Sequence, residues 1–191
     1  MPVDSEKKEN GPSPIWLTTL IAAFLTLVAW LLPACMALAA EPANLVQWRP
    51  GLTSSAQPDS TYLKRARSLG YDMVINIAPP EYDGAVQDEG AILASQGVVY
   101  VNIPVAWTNP TGEDFRLFSD ILESAKKMNV LVHCQVNLRG SSFSFLYRVI
   151  QEGAPIDATR EKLTGVWMPQ PTWKKFIERT LAAHGKRVEW L

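Results

Sequence analysis

Cysteine and histidine are scarce in this sequence, with two of each among 191 residues. One cysteine, Cys35, falls in an apolar N-terminal stretch, so the remainder of the chain holds a single thiol, Cys134. A small disulfide-stapled scaffold needs its cysteines in pairs and is excluded; this fold must stand on a hydrophobic core. His133 and His184 show no recurring ligand spacing, which argues against a metal centre. An excess of either charge is lacking too. The net charge of −1 excludes the strongly basic surface of a nucleic-acid binder, and equally an acidic tail. Beyond residue 40 there is no internal repeat, low-complexity tract or linker. The composition, 47% hydrophobic and 19% charged, suits one compact domain.

The first forty residues follow different rules. Lys7 and Lys8 stand in a polar head with Asp4, Glu6 and Glu9. An uncharged stretch then runs from Asn10 to Ala40 and is most apolar between Ile15 and Leu32. Pro33 interrupts it, and Ala37-Leu38-Ala39 supplies the small residues that signal peptidase requires. Leu32-Pro33-Ala34-Cys35 loosely resembles a lipoprotein cleavage box, with Pro a poor fit at its third position. Residues 1–39 are therefore expected to be a signal peptide or a membrane anchor, and residues 40–191 a single domain. If the leader is kept, residues 15–32 approach the ~20 apolar residues that span a bilayer and form the only membrane contact. Either way the expected location is the periplasm or another extracytoplasmic site, with inner-membrane anchoring in the uncleaved case.

Within residues 40–191, strand-like and helix-like patterns alternate, which predicts an α/β fold. Asp72–Ile77, Val98–Ile103 and Val130–His133 are mainly apolar runs of the kind that form buried strands. Tyr62, Ala66 and Leu69 share one helical face that Gly70 can terminate, and residues 85–96 form a second candidate helix. A third runs over Gly112–Lys127, with Phe115, Phe118, Leu122 and Ala125 in a stripe, Thr111 as N-cap and two closing lysines. A helix from about Gly140 to Gln151 follows, then shorter ones after Pro155 and from Thr172. Helical crossovers favour a mainly parallel central sheet flanked by helices, with ligands beyond the carboxyl ends of the strands. Cys134 occupies such an end.

The segment around it reads Val132-His133-Cys134-Gln135-Val136-Asn137-Leu138-Arg139-Gly140-Ser141-Ser142. A thiol attacks phosphorus only when ionised, and a helix N-terminus just downstream favours the anion. The unpaired amides of that terminus can cradle phosphate oxygens. Arg139 offers a planar fork that matches a phosphate edge, and Ser141 or Ser142 can donate to the departing thiolate. Asn137 sits mid-loop, where it tolerates a left-handed backbone. Cys134 and Arg139 are thus the candidate catalytic pair; Gln135, Val136, Asn137, Leu138, Gly140 and Ser141 are the candidate substrate-binding loop. The bland alternative is a packed cysteine and a surface arginine.

His-Cys-x4-Arg followed by Ser resembles the phosphatase-like family named for the beta-lactamase-hydrolase hybrid proteins. That family lies within the superfamily of protein tyrosine and dual-specificity phosphatases. The resemblance covers nearly all of residues 40–191. It includes Leu52-Thr53-Ser54-Ser55-Ala56-Gln57-Pro58, Val74-Ile75-Asn76-Ile77, and Val101-Asn102-Ile103-Pro104-Val105 followed by Pro110-Thr111-Gly112-Glu113-Asp114. Phe145-Leu146-Tyr147-Arg148 and Val166-Trp167-Met168-Pro169, with Trp173 and Phe176, continue it. The resemblance implies a tyrosine-phosphatase-like fold and hydrolysis of phosphate monoesters through a cysteinyl-phosphate. No cofactor is implied, and the partner is a phosphorylated small molecule or a phosphoprotein. It implies that His133 holds the loop and assists thiolate formation. Better-known tyrosine phosphatases place one more residue between Cys and Arg, and glycine often stands where Asn137 does.

Relatives carry a general-acid Asp on the loop after the preceding strand. Here that loop, Pro104-Val105-Ala106-Trp107-Thr108-Asn109-Pro110, has no carboxylate. Asp114 is the favoured acid, with Asp83 and Asp88 as other sources; Glu113 is assigned to the helix dipole. Two alternatives stay open. The short loop also resembles that of rhodanese-type sulfurtransferases, and the missing loop carboxylate fits a non-catalytic phosphate- or phosphoprotein-binding module.

Overall fold

A computed structural model describes residues 40–190. The leader expected over residues 1–39 lies outside them. Among the described residues no helix is long and apolar enough to cross a membrane.

The described residues begin with a hairpin of β1 (Val46–Arg49) and β2 (Leu52–Ser55), turned by Pro50 and Gly51, the latter at φ +80°. Glycine takes that left-handed backbone without a Cβ clash. After the short helix α1 (Ser60–Leu63) come β3 (Met73–Asn76), α2 (Glu89–Ala94), β4 (Val99–Asn102) and α3 (Gly112–Ser124). Then follow β5 (Val130–His133), α4 (Leu138–Ile150), α5 (Ile156–Val166) and α6 (Pro171–Ala183). The five strands lie in the order β1-β2-β5-β3-β4, with β1 antiparallel to β2 and every other pairing parallel.

Period-two alternation assigns the faces. Val74 and Leu131 join Leu63, Leu93 and Val98 on the side of α1 and α2. Ile75 and Val132 point the other way, into the larger core with Phe118, Phe143, Leu163, Trp173 and Phe176. Successive residues of β5 thus feed opposite cores. His133 continues the series of Leu131, and Cys134 falls in the larger cluster.

The expected α/β fold is present, with a mainly parallel sheet at its centre. Several boundaries moved. The face formed by Tyr62, Ala66 and Leu69 is helical only over α1 and continues in turns, leaving Leu69 39% exposed. The second candidate helix is shorter than residues 85–96, because Ala85 to Asp88 form loop and turn. Helix α3 stops at Ser124; Lys126 lies beyond it and pairs with Glu123 at 2.5 Å instead of closing the helix. The β1–β2 hairpin was not foreseen.

Candidate active site

Position comes from β5 and α4. Cys134 follows the last residue of β5, and its N–H donates to Ser55 O on β2 at 3.4 Å. Three residues later Asn137 adopts φ 69°, ψ 6°, the left-handed conformation its residue type tolerates, and α4 begins at Leu138. The amides of Leu138, Arg139 and Gly140 fall in the first turn, where no carbonyl one turn earlier can accept them.

A brace holds the outside of this loop. Gln135 O accepts from Gln57 N at 3.2 Å, and Val136 O accepts from Asn44 Nδ2 at 3.0 Å. Asn137 Nδ2 donates to Asn44 O at 2.6 Å. In a trans peptide the C=O and the following N–H point opposite ways, so the Val136 N–H is directed away from the brace. Gly140 is required by crowding. A Cβ there would lie 2.5 Å from Asn137 Oδ1. Gly140→Ala is therefore expected to cost about 1–3 kcal/mol in urea unfolding and to slow alkylation of Cys134.

Cys134, Gln135, Val136, Leu138 and Arg139 line one cavity of about 320 Å³, with Trp107 as the facing wall. Cys134 lines this cavity although it is 0% exposed. Arg139 is 8% exposed; its Nε donates to Val105 O at 3.0 Å, and its guanidinium lies 5.3 Å from the centre of the Trp107 ring. Neither Nη group has a protein hydrogen bond among the described residues, so the fork is available to a ligand. Trp107 is fixed in turn: its carbonyl accepts from Trp173 Nε1 at 3.0 Å, and its ring packs 5.1 Å from Trp173 and 5.6 Å from Trp167. Among the described residues, Arg139 is the only formally charged one in the lining, so the cavity favours an anion.

The structure brings together Cys134, Arg139, Gln135, Val136 and Leu138. Asn137, Gly140 and Ser141 are buried and shape the loop without lining the cavity. Both serine hydroxyls are turned to Leu138 O, Ser141 at 3.2 Å and Ser142 at 2.8 Å, so the expected donation to the thiolate is not seen. The helix captures them because serine back-bonds readily to a carbonyl one turn earlier.

Asp114 does not line the cavity either. Its Oδ2 accepts from Thr111 N at 2.9 Å and Thr111 Oγ1 at 2.7 Å, closing a capping box at the start of α3. Asp114→Ala is expected to lower stability by about 1 kcal/mol in urea unfolding while leaving Cys134 alkylation unchanged. Asp83 and Asp88 are exposed outside the cavity. Glu113 pairs with Arg116 at 2.6 Å, and that hydrogen bond lowers its carboxyl below the usual range.

Sequence reading overlooked the Asn44 brace, the Val105 acceptor and Glu89. The last is a carboxylate only 3% exposed, 2.8 Å from His133 Nε2. No spacing marks any of the three, because each partner is distant in the chain.

No protein-family model and no curated protein matches the sequence. A solved structure decides the family. A DUF442-family, phosphatase-like protein from Shewanella putrefaciens is 33% identical, with a TM-score of 0.68 over 75% of this chain and 94% of that one. The chain belongs to the DUF442 family. This is the family associated with beta-lactamase-like hydrolases, and the sequence resemblance is thereby borne out. More distant structures share the DUF442 fold. The core catalytic domain of the PP-IP phosphatase SIW14 from S. cerevisiae is 16% identical over 73% of this chain and 86% of that one, with a TM-score of 0.62. TpbA from P. aeruginosa, solved in complex with pTyr, is 20% identical over 74% and 90%, with a TM-score of 0.58.

Proposed function

We propose that this DUF442 protein is a cysteine-dependent phosphatase of the tyrosine and dual-specificity type, acting on monoesters of small molecules or phosphoproteins. The observation that carries the reading is the meeting of Cys134 and Arg139 in one cavity at the first turn of α4. In the first step the Cys134 thiolate attacks phosphorus. An S–P bond forms, and the ester P–O bond breaks with its electron pair on the leaving oxygen. The Arg139 fork and the first-turn amides hold the remaining oxygens as charge builds on them. No carboxylate among the described residues lines the cavity, so in this mechanism the leaving oxygen takes its proton from water. In the second step water attacks phosphorus, the S–P bond breaks and the thiolate returns. The test is release of phenol from an aryl phosphate by the purified protein, with inorganic phosphate as competitor. Turnover that phosphate slows supports the reading; no turnover, with phosphate still shielding Cys134 from alkylation, leaves a binding module.

One observation favours a second reading. Four residues separate Cys134 from Arg139, and the cavity offers no acid for a poor leaving group. Sulfur transfer needs neither a wide cradle nor that acid. In this reading thiosulfate passes its outer sulfur to Cys134 and leaves as sulfite, so Cys134 gains one sulfur atom in mass.

We also propose export, on residues 15–32 and Ala37-Leu38-Ala39. Cell fractionation that finds the protein in the cytosol with residues 1–39 intact would overturn it.

A further inference from the structure

Glu89 is a carboxylate in a place where a carboxylate is costly. It opens α2 at 3% exposure, and a buried charge without partners is strongly destabilising. Its ordinary role, complementing the dipole of α2, is a weak effect and is open to the exposed neighbour Asp88. Burial must therefore be offset by partners. His133, itself 0% exposed, comes from β5 with Nε2 2.8 Å from Glu89 Oε1. Asn76 Nδ2 on β3 and the Tyr100 hydroxyl on β4 approach Glu89 Oε2 at 3.3 and 3.4 Å. Tyr82 reaches the same region from the loop before α2. Burial first, and the Glu89 charge second, push both phenols upward, so they remain protonated.

The contact with His133 is short but is not aligned as a hydrogen bond. A carboxylate at that distance favours the ring proton on Nε2, the nitrogen that faces it. Nδ1 has no partner among the described residues. Nothing else fixes the ring by hydrogen bonding. The backbone of His133 is bound on the other side: its carbonyl accepts from Ile77 N at 2.9 Å, and the next N–H, of Cys134, reaches Ser55 O.

We propose that Glu89 is a positioning residue for the nucleophile, orienting His133 and thereby the end of β5 from which Cys134 projects. It acts through His133 and touches no substrate. The role holds whether Cys134 takes up phosphoryl groups or sulfur, so it does not depend on the function proposed above.

The test uses the full chain and the rate of Cys134 alkylation by iodoacetamide, read by peptide mass so that Cys35 does not interfere. Misplacing a reacting atom by about 1 Å can cost about 10²-fold. Glu89→Gln keeps the shape and removes the charge, and is expected to slow alkylation about tenfold or more. His133→Asn should slow it similarly, and the double variant should be no slower than His133→Asn, as for residues acting in series. A Glu89→Gln rate within about twofold of the parent, or additive effects in the double variant, overturns the proposal. If Glu89→Gln does not fold, the unsubstituted protein still decides. With two histidines in the chain, ¹⁵N spectra of the imidazoles resolve His133 directly. A proton on Nε2 is expected; a ring protonated on Nδ1 alone contradicts it.

Discussion

Cys134→Ser is expected to remove aryl-phosphate hydrolysis, with the rate falling on the order of 10⁴–10⁶-fold, as when other nucleophiles are deleted. A hydroxyl in the same place stays protonated near neutral pH, where a thiol at a helix N-terminus can ionise. Little else should change. Serine is similar in size to the buried cysteine, and Arg139 with the first-turn amides is left intact. The variant should therefore still bind inorganic phosphate and melt higher in its presence, since a ligand held only by the folded state stabilises it. Retained phosphate binding with lost turnover separates chemistry from folding. A Cys134→Ser protein as active as its parent would remove the cysteine from the mechanism.

An alkyl phosphate is expected to react about 10²–10⁴-fold more slowly than an aryl phosphate, the range that a missing general acid typically costs. Trp107, Cys134, Gln135, Val136, Leu138 and Arg139 line the cavity, and none can give a proton to a departing oxygen as a carboxylic acid would. A phenoxide leaves without that help far more readily than an alkoxide. Asp114 is held by Thr111 in the capping box, so Asp114→Asn should leave the ratio of the two substrates unchanged. Equal rates for both esters, with the alkyl rate alone lost in Asp114→Asn, would return the acid role to Asp114. Steady-state rates on matched phenyl and alkyl esters measure both outcomes.

What the sequence revealed of this fold follows from how local each feature is. The apolar runs of β3, β4 and β5 announce them, yet only β3 and β5 are buried throughout; β4, expected to be buried, is an edge strand with Val99 43% exposed. The stripe and N-cap of α3 are equally local. So is the Cys134 loop, where strand, cysteine, asparagine, arginine and helix succeed one another within a few residues. The β1–β2 hairpin is different. Thr53, Ser54 and Ser55 are not the apolar residues of a buried strand, yet Ser54 and Ser55 are fully buried. They are accommodated because Ser54 Oγ accepts from Trp48 Nε1 at 2.9 Å and Ser55 Oγ donates to Ala56 O at 2.7 Å. The Trp48 bond exists only after the chain has folded back, and no period in the sequence encodes it.

The same distinction runs through the site. Cys134 and Arg139 were legible because one loop carries both. Asp114 was ambiguous because its position in the first helical turn suits a cap as well as an acid, and the structure shows its carboxylate on Thr111. Glu89 was invisible for a stronger reason. It stands in a polar stretch with Asp83 and Asp88, both exposed, and only the parallel packing of β3 against β5 carries His133 to it.

The most direct measurement is the intact mass of the protein, quenched in acid during turnover of an aryl phosphate and, separately, after exposure to thiosulfate. The expected result is one added phosphoryl group, mapped to Cys134, and no adduct with thiosulfate. A single added sulfur on Cys134 from thiosulfate, with no phosphoryl adduct and no phenol released, would contradict the phosphatase reading.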